Sequence, residues 1–163
     1  MDPGDADFET VYAETARPLR AYLLRLAGDL ALADDVLQET YLRYLSMGAT
    51  RRGAAPARPL LYRIATNLVY DHFRRNRRFV PSSFEPAAPA SDGRARDLER
   101  ALSAVKPRQR SLLWLAFVEG WSHAEIAELL GLRAGSVKVL LFRAKTAFAR
   151  VLRERGLAPE DTE

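Results

Sequence analysis

The stretch from Ser122 to Arg153 constrains this chain most, because its signals arrive in an order that two helices joined by a sharp turn satisfy. Ser122 and Glu125 stand in the S-x-x-E spacing of a capping box, which starts a helix there. Ala127 and Leu130 pack inside it, and the small Ala127 lets a second helix cross closely. Gly131 supplies the left-handed residue that ends the first helix. From about residue 134 a second helix carries Val137, Leu140, Leu141, Ala144, Phe148, Val151 and Leu152 on one face. Lys138, Arg143, Lys145 and Arg150 decorate it away from that stripe. This is the layout of a helix-turn-helix whose second helix enters a DNA major groove. The competing reading is an ordinary antiparallel helix pair in a bundle.

The same helical periodicity runs through most of the chain, and no alternating strand pattern appears. Helices are expected near 8–27, 31–46 and 57–77, then near 95–105, 107–119, 122–130 and 134–153. Pro107 suits a first turn and Gly120 a helix end. Between the two sets lies Pro-Ser-Ser-Phe-Glu-Pro-Ala-Ala-Pro-Ala-Ser-Asp-Gly, residues 81–93, which has no periodicity and reads as a flexible linker. The expected fold is therefore all-α: two small helical domains on a tether, the second a helix-turn-helix domain. The divisions are 1–79, a linker over 80–94, 95–155, and a frayed acidic tail over 156–163.

Composition narrows the function. With 163 residues and 48% hydrophobic ones, the chain can bury a core. It has no cysteine, which removes disulfides, zinc ribbons and thiol catalysis. No apolar run is long enough to span a membrane, and the acidic start lacks the apolar segment of a secretory signal, so a cytoplasmic protein is expected. The net charge is only +4, but it is unevenly spread. Residues 51–78 hold Arg51, Arg52, Arg58, Arg63, Arg74, Arg75, Arg77 and Arg78 against the single acid Asp71. Such a block attracts polyanions.

Two helices of the first domain present two faces each. In 31–46, Val36, Leu37, Thr40, Tyr41, Tyr44 and Leu45 gather on one side, and Asp35, Gln38, Glu39, Leu42 and Arg43 on the other. Polar groups around an apolar anchor suit a protein-binding patch; the plainer alternative is a solvated face with an incidental leucine. In 57–77, Leu61, Ile64, Ala65, Leu68 and Val69 form the expected buried stripe. Arg63, Asn67, Tyr70, Arg74 and Arg77 recur opposite it. Cations, an amide and a ring in one row suit a nucleic-acid track, against the alternative of a basic solvated helix. Asp71 borders the row, placed to orient Arg74 or Arg75. Catalytic motifs are lacking. His72 and His123 have no partners at metal-ligand spacing. Asp34 and Asp35 diverge by about 100° on a helix, and no phosphate-binding or nucleophile-elbow motif occurs. Neither an enzyme nor a cofactor is expected.

These residues resemble the extracytoplasmic-function sigma factors, small two-domain bacterial initiation factors. Ala33-Asp34-Asp35-Val36-Leu37-Gln38-Glu39-Thr40-Tyr41-Leu42-Arg43 is similar to their polymerase-binding helix. Leu61-Tyr62-Arg63-Ile64-Ala65-Thr66-Asn67-Leu68, with Asp71, Arg74 and Arg75, is similar to their minus-ten-reading helix. Lys106-Pro107-Arg108-Gln109-Arg110, Ala124 to Gly131, Gly135-Ser136-Val137-Lys138 and Arg143-Ala144-Lys145 match their second domain. The order and spacing of these short motifs, from about Phe8 to Leu152, carry the resemblance.

The resemblance implies a factor that binds core RNA polymerase, brings it to promoter DNA and opens the minus-ten element. Asp35, Gln38, Glu39, Leu42 and Arg43 would meet the clamp helices of the largest subunit. Arg51, Arg52, Arg63, Asn67, Tyr70, Asp71, Arg74, Arg75 and Arg77 would face the minus-ten element, with the loop 47–58 capturing an unstacked base. Ser136, Lys138, Val139, Phe142, Arg143 and Lys145 would face the minus-thirty-five element. The free factor would be a monomer, a further partner would be an anti-sigma protein, and the holoenzyme would sit on the nucleoid, with no membrane insertion. The linker would run through the polymerase towards the RNA exit path. The alternative is a helix-turn-helix repressor or activator with a helical dimerisation domain.

Some positions depart from the family pattern. Leu60 stands where a tryptophan is frequent, so Tyr62, Tyr70 or Phe73 would supply any ring contact at the melted junction. Val139, Leu140 and Phe142 replace the usual Ser, Arg and His. Leu140 faces the core, while Val139 and Phe142 point outward, towards thymine methyl groups or another protein.

Overall fold

A computed structural model describes residues 3–48, 52, 56–76 and 93–157. Among these the chain is helical, in two compact units, 1–82 and 83–163.

The first unit is built from α1 (Pro3–Ala27), α2 (Leu30–Ser46) and α3 (Ala57–Arg75), each packed against the other two. α1 stops at Gly28, whose φ of 68° a side chain would resist. Asp29 then caps α2, its Oδ1 accepting the Leu32 N–H at 3.0 Å. Only two residues separate the helices, so α2 folds back on α1. The core is Leu19, Tyr22, Leu23 and Leu26 from α1, Ala33, Val36, Tyr41 and Tyr44 from α2, and Leu61, Tyr62, Ala65 and Val69 from α3.

Polar groups enter this core already partnered. The Thr15 hydroxyl donates to the Val11 carbonyl (2.6 Å), which leaves the Tyr41 hydroxyl to donate to Thr15 Oγ1 (2.6 Å). Thr40 donates to the Val36 carbonyl at 2.7 Å. The Tyr22 hydroxyl and Thr66 Oγ1 share a 2.8 Å hydrogen bond, and the Tyr22 and Tyr62 rings lie 5.2 Å apart. The Tyr22 pairs correct the expected α3 stripe. Tyr62 and Thr66 are buried on α3, whereas Ile64 and Leu68 are half-buried. Tyr62 is fully covered and cannot supply a ring to a melted junction. On α2, Leu45 is exposed rather than buried. On α3, a wheel that counts only aliphatic residues turns the stripe away from Tyr62 and Thr66, which find their partners inside.

The second unit contains α4 (Gly93–Ser103), α5 (Pro107–Leu113), a π-helical turn (Trp114–Val118), α6 (His123–Leu130) and α7 (Ser136–Glu154). Pro107 occupies the first turn of α5, and Gln109 Oε1 accepts the Lys106 N–H at 3.3 Å. The single helix expected over 107–119 instead widens after Leu113, where the Glu119 N–H reaches the Trp114 carbonyl five residues back. Gly120, at φ 71°, lets the Trp121 N–H close on the Leu115 carbonyl. Leu112, Leu115, Ile126, Ala127, Leu129, Val137 and Leu141 are buried. Val105, Leu113 and Ala144 form a cluster under Leu102, Ala147, Phe148 and Val151.

Several boundaries differ from the expected ones. α3 ends at Arg75, with Asn76 as its cap. α4 begins at Gly93, inside the stretch read as linker, and α7 begins at Ser136 rather than 134. α7 closes at Gly156 (φ 69°), where the Leu157 N–H bonds the Leu152 carbonyl at 2.8 Å, so the first two residues of the expected tail belong to its cap.

Candidate nucleic-acid and polymerase interfaces

On α2, burial of Ala33, Val36, Thr40, Tyr41 and Tyr44 turns the opposite face outward. Asp35, Gln38, Glu39, Leu42 and Arg43 are all exposed there, as expected. The adjacent acids diverge. Asp34 pairs with Arg20 of α1 at 3.0 Å, while Asp35 lines a groove towards α3. Arg43 Nε donates to Glu39 Oε1 at 2.9 Å, a one-turn pair that fixes both side chains beside Leu42. Leu42 is 55% exposed, an apolar knob set among polar groups.

On α3, burial of Leu61, Ala65 and Val69 sends Arg63, Asn67, Arg74 and Arg75 to the surface, with Tyr70 and Asp71 half-buried at the margin. The Asp71 carboxylate takes Arg74, not Arg75, as its ion-pair partner. Arg75 instead lines a groove between α2 and α3. Asp35, Glu39 and Arg43 form one wall of that groove, Asp71, His72, Arg75 and Asn76 the other, over Val36 and Leu68. The expected polymerase-facing and DNA-facing surfaces thus adjoin along one edge of the first unit. Arg51 and Arg77 lie outside the described residues, as does most of the loop expected to capture a base. Arg52 is described, and its guanidinium sits over the Tyr44 ring at 5.9 Å. Arg58 sits likewise over the Tyr62 ring at 5.8 Å. Composition marked Arg58 only as one of an arginine block, although its i, i+4 spacing from Tyr62 on one helix signals the ring partner.

In the second unit the capping box forms in both directions. Ser122 Oγ accepts the Glu125 N–H at 3.1 Å, and Glu125 Oε1 accepts the Ser122 N–H at 3.2 Å. Gly131 adopts φ 66°, and the Leu132 N–H returns to the Ala127 carbonyl at 2.8 Å. With Val137, Leu141 and Ala144 buried, Lys138, Val139, Phe142, Arg143 and Lys145 are exposed, and Ser136 and Leu140 are half-buried. Lys145 Nζ lies 4.7 Å from the centre of the Phe117 ring. Phe117 was not among the candidate site residues; the π-helical turn brings it to α7. Among the described residues no cluster of histidines and carboxylates is placed to hold a metal, and no helix is long and apolar enough to cross a membrane.

Comparison with known proteins places each unit. Residues 11–79 match the family model of sigma-70 region 2, and residues 95–148 match that of sigma-70 region 4. The chain is 36% identical over 162 residues to the ECF RNA polymerase sigma factor SigL of Mycobacterium tuberculosis, covering 90% of this chain and 89% of SigL. It is 30% identical to the RNA polymerase sigma factor CarQ of Myxococcus xanthus, covering 92% and 91% of the two chains. The fold is similar to that of the sigma factor RpoE of Bartonella quintana, solved with the anti-sigma factor NepR. There the TM-score is 0.74 at 23% identity, over 90% of this chain and 97% of that one.

Proposed function

Because this chain belongs to the extracytoplasmic-function RNA polymerase sigma factors of the sigma-70 family, we propose a division of labour among its exposed surfaces. As an RNA polymerase sigma factor it partners core polymerase and promoter DNA in transcription initiation. Asp35, Gln38, Glu39, Leu42 and Arg43 on α2 contact the clamp helices of the polymerase largest subunit. Arg52, Arg63, Asn67, Tyr70, Asp71, Arg74 and Arg75, with Arg51 and Arg77 outside the described residues, face the minus-ten element. Ser136, Lys138, Val139, Phe142, Arg143 and Lys145 face the minus-thirty-five element.

The observation that carries this reading is the outward turn of Arg63, Asn67, Arg74 and Arg75 from a helix whose other side is locked into the core. Cations in a row meet phosphates, and an amide among them reaches a base edge. Opening the duplex costs a few kcal/mol of unstacking, which binding free energy meets if the exposed base is held. The arginine placed over the Tyr44 ring supplies a preset cation beside that loop. Binding of the clamp by α2 brings the adjoining α3 row to the DNA that the polymerase holds. Free of polymerase the chain is a monomer, and an anti-sigma protein that covers Leu42 would block the polymerase contact.

The test is reconstitution of the full chain with core polymerase on a promoter library, followed by transcript mapping. The expected result is a set of start sites shared by promoters with a common pair of upstream elements, lost when Arg63 and Arg74 are both changed to alanine. No transcript and no co-purification of core polymerase would overturn the reading.

A further inference from the structure

The recognition helix presents two large apolar side chains on its exposed side. Val137, Leu141 and Ala144 mark the inner side of α7. At 100° per residue Val139 lies almost opposite them, in the first turn, and Phe142 lies beside it one turn later. Their side chains are 50% and 69% exposed. Lys138 and Arg143 flank them, and Lys145 is held on one side by the Phe117 ring. No carboxylate occurs between Glu128 and Glu154, so every charged side chain of α7 near this apolar pair is cationic.

An apolar spot ringed by cations fits a ligand that is anionic at its rims and apolar in its floor. The major groove at a thymine is such a surface. Phosphates line both edges, and the C5-methyl is the apolar group that a base pair presents there. A protein partner would have to supply carboxylates around its own apolar side chain to match those cations, whereas any duplex carries phosphates along both edges of the groove. Resting on the assignment of α7 to the minus-thirty-five element, we propose that Val139 and Phe142 read thymine C5-methyl groups. Lys138 and Arg143 anchor the helix to the flanking phosphates. Sequence preference in this element then comes from methyl contact rather than from the bidentate hydrogen bonds of an arginine.

The test uses holoenzyme on a promoter recovered by transcript mapping. Each thymine of the upstream element is replaced singly by deoxyuridine, which removes the methyl and keeps every hydrogen-bonding group. At one or two positions affinity falls about fourfold, the transfer cost of one methyl. Val139→Ala and Phe142→Ala each bind the thymine duplex more weakly and lose the thymine–uracil difference at one position. Both side chains are exposed, so both variants keep the native helical signal and melting temperature. Equal affinity for uracil and thymine at every position, or a difference that survives in both variants, overturns the methyl readout and leaves promoter recruitment standing. A chain that recruits polymerase to no promoter overturns both readings.

Discussion

Leu42 is an apolar side chain among Gln38, Glu39 and Arg43, and its exposure leaves it without a role in the core. An arginine there meets no steric barrier in the folded unit. Leu42→Arg is therefore expected to keep the native circular dichroism while core-polymerase affinity drops at least tenfold, as for an anchor at an interface centre; unchanged affinity removes Leu42 from the interface. Tyr41 shows the opposite case, a polar group working inside. Its burial pushes the phenol above the ordinary value of 10.0. The folded state therefore holds the proton more tightly than the unfolded chain, so stability is full below about pH 10 and declines as pH rises towards the folded value. Tyr41→Phe is expected to cost about 1 kcal/mol at neutral pH through the lost hydrogen bond to Thr15. It should also flatten the alkaline decline, which urea melts at pH 8 and pH 11 would measure.

The elements are set by their ends. The two hydrogen bonds of the Ser122–Glu125 box start α6, and the left-handed Gly131 stops it, which fixes how α7 leaves the turn. Ser122→Ala is expected to lower stability by about 1 kcal/mol. Gly131→Ala should cost a similar amount, roughly 1 kcal/mol. A Cβ at residue 131 would meet no atom within 4 Å, so that cost is one of backbone conformation rather than packing. Denaturant midpoints of the two variants check both values. The π-helical turn is an element of a different kind. One extra residue between Trp114 and Glu119 widens the helix and sets Phe117 beside Lys145, so local winding positions a cation at the recognition helix.

At the scale of the molecule, each unit buries its own core, with Leu19, Tyr22, Leu61 and Val69 in one and Leu112, Leu115, Ile126 and Val137 in the other. Severing the chain between residues 82 and 83 is thus expected to leave two fragments that are each helical and melt cooperatively, by circular dichroism. The cationic surfaces set the environment in which the protein works. Phosphate contacts release counterions, so promoter affinity of the holoenzyme should fall linearly on a log–log plot against salt. Changing Arg63 and Arg74 to alanine should make that slope shallower by up to about two ion contacts. A salt-independent affinity would remove these arginines from the phosphate track.

The sequence by itself determined the all-helical class, the helix-turn-helix and most outward residues of α2, α3 and α7, because capping pairs, positive-φ glycines and helical periodicity act over a few residues. Tertiary packing alone decided which amphipathic side chains turn inward. Tyr62 and Thr66 are buried because Tyr22 of α1 supplies a ring and a hydroxyl partner, and Asp34 is drawn to α1 because Arg20 waits there. The same holds for the π-helical turn, whose winding answers to its neighbours, and for Arg52, which meets the Tyr44 ring from beyond the end of α2. A tyrosine or a threonine can stay in water or enter the core if its hydroxyl finds a partner there. A surface arginine can point to water or lie against a ring or a carboxylate. Only a partner brought close by the fold tips that balance.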